Sequence, residues 1–318
     1  MFSKILVPLD QSPIAECVLP HVVAFADVYD SEVTLIHVME CPSAADRYQP
    51  IDPLSWRLCK VEAKACLNNV AARLGRAGLD PELLLLEGQP AQTIIDYARS
   101  HGINLIMMSS HGKTGMSRWN VNSVVRKIIQ ESLISSMVIR AYNPIVSELD
   151  GLRYRKLLVP LDGSLRSECV LPTAVSLTQR HQASLLLGHV VVKPEMPRQT
   201  PLNQDDLALI QHFVDRNLAA ADDYFKHLLT RLAVDFVPRV LVRENIAISL
   251  HQLVEDEAVD LVVISAHGYS GNAKWPYGSL TTSFIEYGTT PLLIVQDLEP
   301  NDLALSQAES AAREMKGH

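Results

Sequence analysis

A glycine-containing loop in the second half of the chain has the residue types to bind an anion. An apolar run ends at Ile264, and Ser265, Gly268, Gly278 and Ser279 follow before the next apolar stretch. Gly268 and Gly278 can adopt positive φ angles and let backbone N–H groups approach a ligand closely. Ser279 either caps the following helix or donates its hydroxyl to a ligand oxygen. Because the loop ends at a predicted helix N-terminus, the pattern favours an anionic ligand.

The same loop occurs earlier in the chain, around Gly112. Gly112 and Gly268 are 156 residues apart, and residues 122–123 and 278–279 have the same offset. The run KILVPLD begins at Lys4 and recurs as KLLVPLD from Lys156, while residues 16–20 recur letter for letter as 168–172. These matches predict an internal duplication of nearly the whole chain.

The residue patterns do not indicate catalysis. Gly112-Lys113-Thr114 resembles the end of a P-loop, but Met107 stands where that motif requires its first glycine. His111 and His267 have no second histidine or carboxylate at ligand spacing, so we interpret them as residues that shape the loops through backbone hydrogen bonds. We therefore predict no catalytic residue, no metal site and no enzyme, with slow ATP hydrolysis left open.

Short apolar strands alternate with helices in both halves, which predicts an α/β fold. Each half is predicted as a doubly wound domain with a five-stranded parallel sheet, strand order 3-2-1-4-5, and helices on both faces. Ligands of such sheets bind at the carboxyl ends of the strands, where the winding reverses. The predicted strands cover residues 4–10, 33–38, 83–86, 105–108 and 137–140, then 156–162, 184–190, 236–242, 261–264 and 292–295.

The repeat also predicts the domain boundaries. We expect a first domain at residues 1–143, a linker at 144–153, a second domain at 154–298 and a polar, alanine-rich tail at 299–318. So short a linker favours two halves that pack as an internal dimer with pseudo-twofold symmetry. Whether the chain also associates into a further homo-oligomer is left open.

The composition narrows the classes of partner and the location. A net charge of −8 argues against a large nucleic-acid surface, which would need a basic face. No signal peptide is recognisable, and no apolar run approaches the roughly 20 residues that span a bilayer. Five cysteines without metal-ligand spacing fit a reducing compartment. We expect a cytoplasmic protein with neither a nucleic-acid nor a membrane partner.

Three features together resemble the universal stress protein family in a tandem, two-domain form. They are the Pro-Leu-Asp that ends the first strand, the His-Val that ends the second, and the Gly-x9-Gly-Ser loop before the fourth helix. ATP-binding members are similar in carrying Gly-x2-Gly-x9-Gly-(Ser/Thr), in which the loop wraps phosphates and ribose and strand-end backbone holds the adenine. In this chain Ser265 replaces the first motif glycine of the second half, and Ser109 and Asn122 replace both outer glycines of the first.

The resemblance implies an adenine-nucleotide site, mainly in the second half, with a regulatory role in the stress response. ATP is the implied ligand, with Mg²⁺ as an open companion. Asp162 and Asp10 either contact the ligand or serve as turn and cap residues. The implied second-half site comprises Leu161, Asp162, Val190, Ile264, Ser265, Gly268, Gly278, Ser279 and Leu280. Its first-half counterpart, ranked second, comprises Leu9, Asp10, Val38, Met108, Ser109, Gly112, Asn122, Ser123 and Val124.

The missing glycines leave an alternative open. On that hypothesis the protein binds no nucleotide and is a tandem scaffold that recruits protein partners or another small ligand. The resemblance also implies that the fifth strands form the contact between the halves, an arrangement that would hide their unpaired backbone groups.

Overall fold

Ten strands form one continuous sheet in the computed structural model, which describes residues 1–40, 52–111, 121–141, 149, 151–194, 203–269 and 277–297. Gly112, most of the predicted linker and the predicted tail lie outside the described residues. The first-half strands are β1 (Lys4–Pro8), β2 (Glu32–Glu40), β3 (Glu82–Gly88), β4 (Leu105–Ser109) and β5 (Ser135–Ile139). The second-half strands are β6 (Lys156–Pro160), β7 (Ser184–Val192), β8 (Val237–Arg243), β9 (Leu261–Ser265) and β10 (Leu292–Val295).

Both halves have the predicted strand order. The sheet runs β3-β2-β1-β4-β5-β10-β9-β6-β7-β8, so each half is a 3-2-1-4-5 arrangement of parallel strands. The halves join through β5 and β10, which pair antiparallel with Met137 opposite Leu293. An antiparallel pair at the junction is what a twofold relation between the halves requires. The predicted α/β fold class is thereby confirmed.

Helices cover both faces of the sheet. They are α1 (Leu19–Tyr29), α2 (Pro53–Arg76), α3 (Pro90–Ser100) and α4 (Ser123–Ser132) in the first half. The second half has α5 (Leu165–Glu168), α6 (Leu171–His181), α7 (Gln204–Arg231), α8 (Ile246–Asp256) and α9 (Ser279–Tyr287). None of the described helices combines the length and the apolar character that a bilayer crossing requires.

The helical segment after the first strand of each half is broken in two. A single 3-10 turn, Ala15–Val18, precedes α1, and the short α5 precedes α6. Pro20 and Pro172 stand in the first turns of α1 and α6. Proline has no N–H to donate and is tolerated only in the first turn, so each proline forces a new helix to start there.

The core has two layers, one on each face of the sheet, because successive strand residues point to opposite faces. Ile5 and Val7 belong to the layer under α1, α2, α6 and α7, while Leu6 between them belongs to the layer under α3, α4, α8 and α9. Both layers continue from one half into the other, so the halves share a core.

Side chains also bond the halves on both faces. On one face the Tyr29 hydroxyl donates to the carbonyl of Thr173 at 3.2 Å. On the other, the buried Arg140 at the end of β5 donates to the carbonyls of Phe284 and Ile285 in α9, at 2.7 and 3.1 Å. The Phe284 carbonyl also accepts from the Gly288 N–H at 3.0 Å, so Arg140 supplies a second donor at the last turn of α9.

Candidate functional site

The candidate site of the second half lies at the carboxyl ends of β6 and β9, which are neighbours in the sheet. Asp162 follows β6, and the Gly268 loop leaves from the end of β9. The two segments meet directly, because the Tyr269 backbone N–H donates to Asp162 Oδ2 at 2.6 Å. A carboxylate thus holds the first turn of the glycine loop.

The other oxygen of Asp162 organises the turn after β6. Asp162 Oδ1 accepts hydrogen bonds from the Ser164 backbone N–H at 2.9 Å and from the Ser164 hydroxyl at 2.6 Å. The Ser164 side chain, and not Asp162, caps the helix that follows, by accepting from Ser167 N at 3.1 Å. Burial raises the pKa of the Asp162 carboxyl, but the bonds from Ser164 and Tyr269 outweigh it, and the net pKa lies below the ordinary value. Asp162 is therefore an anion at neutral pH.

Gly268 is required for a reason that the sequence analysis did not find. A Cβ atom added at Gly268 would overlap Asp162 Oδ2. Neither Gly268 nor Gly278 has the positive φ angle that we considered; the glycine with positive φ at this site is Gly163, at +83°. Gly268 therefore makes room for the carboxylate.

Gly278 is the N-cap of α9, with φ −69° and ψ 163°. No side chain of the described residues caps this helix. Ser279 is the first helical residue and is exposed, so the capping role considered for Ser279 is wrong, while its hydroxyl faces solvent at the loop. Uncapped amides at a helix start carry partial positive charge, so the beginning of α9 is suited to an anion.

Ser265 uses its hydroxyl inside the loop. The buried Ser265 Oγ donates to the carbonyl of His267 at 2.6 Å, and the Thr281 hydroxyl of α9 donates to the carbonyl of Ser265 at 2.8 Å. The Gly278 N–H donates to Ala266 O at 2.8 Å. These bonds tie the beginning of the loop to its end.

His267 is paired with a carboxylate that the sequence analysis missed. Its Nδ1 lies 2.7 Å from Asp297 Oδ1, and both side chains are 1% exposed. Arg166 Nε lies 3.6 Å from the other Asp297 oxygen. The backbone role that we predicted for His267 is thus incomplete. Asp297 is 30 residues away, and only the pairing of β10 beside β9 indicates that the two would meet.

The remaining second-half residues offer backbone groups to a ligand. The side chains of Leu161 and Ile264 are buried in the core, and those of Val190 and Leu280 are partly buried against it. Their apolar side chains leave backbone groups as the polar contacts, and the Leu161 N–H already donates to the carbonyl of Gly188 at 2.8 Å. Beside them, His189 Nδ1 donates to the carbonyl of Leu161 at 2.9 Å.

The first-half cleft contains side chains where the second has glycines. Gln11 occupies the position of Gly163, adopts φ +66°, and extends its amide to His37 Nε2 at 2.7 Å. His37 Nδ1 donates to Leu9 O at 2.6 Å, so its Nε2 is the acceptor of this pair. The Gln11 amide thus lies beside the end of β2.

Asn122 occupies the position of Gly278. Its backbone has φ −64° and ψ 161°, nearly the angles of Gly278, and its Oδ1 accepts from Val125 N at 2.8 Å. Asn122 therefore does not adopt a left-handed conformation. Asn122 caps α4 and occupies an amide that an anion would otherwise bind.

The other first-half residues repeat the second-half geometry. Asp10 Oδ1 accepts from Ser12 N at 3.0 Å, and Ser109 Oγ donates to the carbonyl of His111 at 2.8 Å. Leu9, Val38 and Met108 are buried, Val124 is partly buried and Ser123 is exposed. Within the described residues, no group of three or more His, Cys, Asp or Glu side chains could hold a metal ion.

The fold and the site together define a tandem pair of doubly wound α/β domains with a glycine-containing loop at the carboxyl ends of the strands. A model of the universal stress protein family matches residues 1–140 and again 153–296. The chain therefore belongs to the universal stress protein family, in its tandem form, as the sequence predicted.

Individual relatives agree with this assignment. A universal stress protein of Methanocaldococcus jannaschii is 28% identical over 158 residues, which is 45% of this chain and 98% of the relative. One of Mycobacterium tuberculosis is 22% identical over 307 residues and spans both halves, with 92% of this chain and 96% of the relative covered. Among solved structures, a universal stress protein from Archaeoglobus fulgidus superposes with a TM-score of 0.63 at 16% identity, covering 94% of this chain and 100% of the other.

Proposed function

We propose that this universal stress protein binds ATP at the second-half site, in a regulatory and non-catalytic role in the cytoplasm. One observation carries the proposal: two positions that hold Gln11 and Asn122 in the first half are Gly163 and Gly278 in the second. Of the two helices that follow the loops, α4 is capped by the Asn122 side chain, whereas α9 has no side-chain cap among the described residues. An anionic ligand therefore finds its donors accessible in that half.

The proposed binding mode follows from the chemistry of the groups around the cleft. Phosphate oxygens accept from the amides at the start of α9 and from the Ser279 hydroxyl, which is exposed. The ribose hydroxyls donate to the ionised Asp162, the acceptor nearest to the loop. Backbone groups at the ends of β6, β7 and β9 bind the adenine, as the family resemblance implies. If Mg²⁺ accompanies ATP, the Asp162 carboxylate binds the ion together with the phosphates.

A calorimetric titration with ATP, with and without Mg²⁺, tests the proposal. We expect saturable binding with a stoichiometry near one per chain. The variant Gln11→Gly/Asn122→Gly removes both first-half side chains, and we expect its stoichiometry to rise toward two. Absence of both heat and thermal stabilisation in the wild-type protein would refute nucleotide binding.

The closed first half favours a second candidate, in which the protein is a scaffold for partners or for another small ligand. The Gln11–His37 contact and the Asn122 cap occupy the groups that a nucleotide would need there. If the wild-type protein does not bind ATP although circular dichroism shows an intact fold, the result would favour the scaffold hypothesis. The non-catalytic role is tested separately: we expect no more phosphate release from the wild-type protein than from Asp162→Asn.

A further inference from the structure

A cavity lies between α8 and α9, on the face of the sheet where α3 and α4 pack in the first half. It has a volume of about 490 Å³, within the range of pockets that bind small molecules. His251 and Phe284 form one wall, with ring centroids 4.3 Å apart, and Ile248, Glu255, Tyr287 and Gly288 contribute to the rest. Apolar and aromatic side chains therefore line the cavity together with one carboxylate.

In the first half an arginine links the two corresponding helices. Arg99, in the last turn of α3, donates from Nη2 to the carbonyl of Glu131 and from Nε to that of Ser132 at 3.5 Å, which ties α3 to the end of α4. The equivalent residue, at an offset of 156, is Glu255. A carboxylate cannot donate to helix carbonyls, so this tie has no equivalent in the second half.

The charges around the cavity favour a cation. Glu255 is an exposed carboxylate, and it stands in the last turn of α8, where the helix dipole already contributes negative charge. The end of α9, at Tyr287 and Gly288, also lines the cavity. Arg140 lies behind this wall, with its guanidinium bonded to the α9 carbonyls of Phe284 and Ile285.

The aromatic wall is neutral at physiological pH. Burial lowers the pKa of His251, the nearby Glu255 raises it and Arg140 lowers it, with a net shift downward. His251 Nε2 lies 3.2 Å from the Ser283 hydroxyl, which holds the ring against Phe284. Neutral rings present their faces to apolar or cationic groups.

We propose that the α8–α9 cavity is a second ligand site, which binds a small organic amine with an apolar or aromatic body. The ammonium group binds beside Glu255 and the end of α8, and the body lies against the His251–Phe284 wall. This site is separate from the nucleotide site and does not depend on the proposed function.

Three probes of one shape and different charge test the proposal: 2-phenylethylamine, 2-phenylethanol and phenylacetate. Binding is followed by saturation-transfer NMR on the full chain with excess ATP present, so that a nucleotide site is blocked if there is one. We expect the amine to bind with a Kd on the order of 1 mM, as suits so small a ligand. We expect the alcohol to bind more weakly and the carboxylate not to bind.

Variants locate the binding. Glu255→Gln keeps the shape and removes the charge, and we expect the amine to bind about three- to fivefold more weakly, as for an exposed ion pair. Glu255→Arg installs the first-half residue and should abolish binding. Asp80→Asn removes an exposed charge from the first half and should change nothing. Equal binding of the three probes, no amine binding up to about 10 mM, or unchanged binding by a folded Glu255→Gln protein would overturn the proposal.

Discussion

The substitution Gly278→Asn should raise stability and weaken ATP binding at the same time. A Cβ at Gly278 would have Ala266 O at 3.7 Å and Gly268 N at 3.8 Å as its nearest neighbours, which are ordinary contact distances. The backbone angles at this position nearly equal those of Asn122, so an asparagine fits without strain. Its side chain should then accept from an amide of α9, as Asn122 accepts from Val125 N in α4.

The magnitudes follow from this one hydrogen bond. Asparagine is a better N-cap than glycine by only a few tenths of a kcal/mol, so the gain in unfolding free energy should be small. The phosphate loses a charge-assisted hydrogen bond, worth about 1.5–3 kcal/mol. That loss corresponds to a Kd roughly 10- to 100-fold higher.

Calorimetry with ATP and thermal unfolding of the same samples measure the two effects. The opposite signs matter, because a misfolded variant would lose both stability and affinity. Asn203, the cap of α7, provides the control: Asn203→Gly should lower stability by a few tenths of a kcal/mol and leave ATP binding unchanged. Unchanged ATP affinity in a stabilised Gly278→Asn protein would refute the role of the α9 amides.

Three further substitutions test other parts of the structure. Gly268→Ala forces a Cβ against Asp162, so we expect a loss of about 1–3 kcal/mol in urea unfolding, as for other overpacked sites. Burial lowers the pKa of His21 to about 4, with its Nδ1 2.6 Å from the Tyr154 hydroxyl. The unfolded chain takes up this proton at the ordinary value of 6.5, so stability is lost as the pH falls from 6.5 to about 4. His21→Gln should remove that part of the pH dependence of thermal unfolding. Tyr277→Phe leaves a buried carbonyl of α4 without its donor and should cost about 1–3 kcal/mol in urea unfolding.

Each of these substitutions has a matched control. Gly75→Ala, at an exposed position of α2 with nothing near its added Cβ, should stabilise by up to about 1 kcal/mol. His227→Gln, at an exposed histidine, should keep the acid sensitivity of the wild-type protein. Tyr269→Phe, at a side chain that is 86% exposed, should leave stability unchanged. If test and control variants behave alike, the contact in question does not contribute as inferred.

The fold could be predicted because its signals are local and repeated. Runs such as Lys4–Pro8 and Lys156–Pro160 combine β-forming residues with a fixed offset, so each strand of one half supports the assignment of its partner. The break after the first strand was not predicted. Pro20 and Pro172 mark it, but a proline also fits the first turn of a single helix, and only the backbone shows which turn is first.

The site was predicted only where backbone position suffices. The meeting of Asp162 with the loop follows from strand order, which the sequence pattern indicates. The reason for Gly268 depends on the direction of the Asp162 side chain, and the Asp297–His267 pair joins residues 30 positions apart. The Gln11 side chain enters the first-half cleft because its backbone has a positive φ angle, which a glutamine seldom adopts. Such three-dimensional contacts have no signature in residue types and spacing.

Helix α9 connects the two sites proposed in the second half. Its first residue, Ser279, lies at the proposed nucleotide loop and its last, Tyr287, lines the α8–α9 cavity, about 12 Å away at 1.5 Å per residue. The first half holds this helix near both ends, through the Tyr277 hydroxyl on the Ile129 carbonyl at 2.8 Å and through Arg140 on the last turn. A ligand that shifts α9 at either end must therefore strain contacts with the first half. The first half, whose own cleft is filled by the Gln11 and Asn122 side chains, therefore supports the helix on which both proposed sites depend.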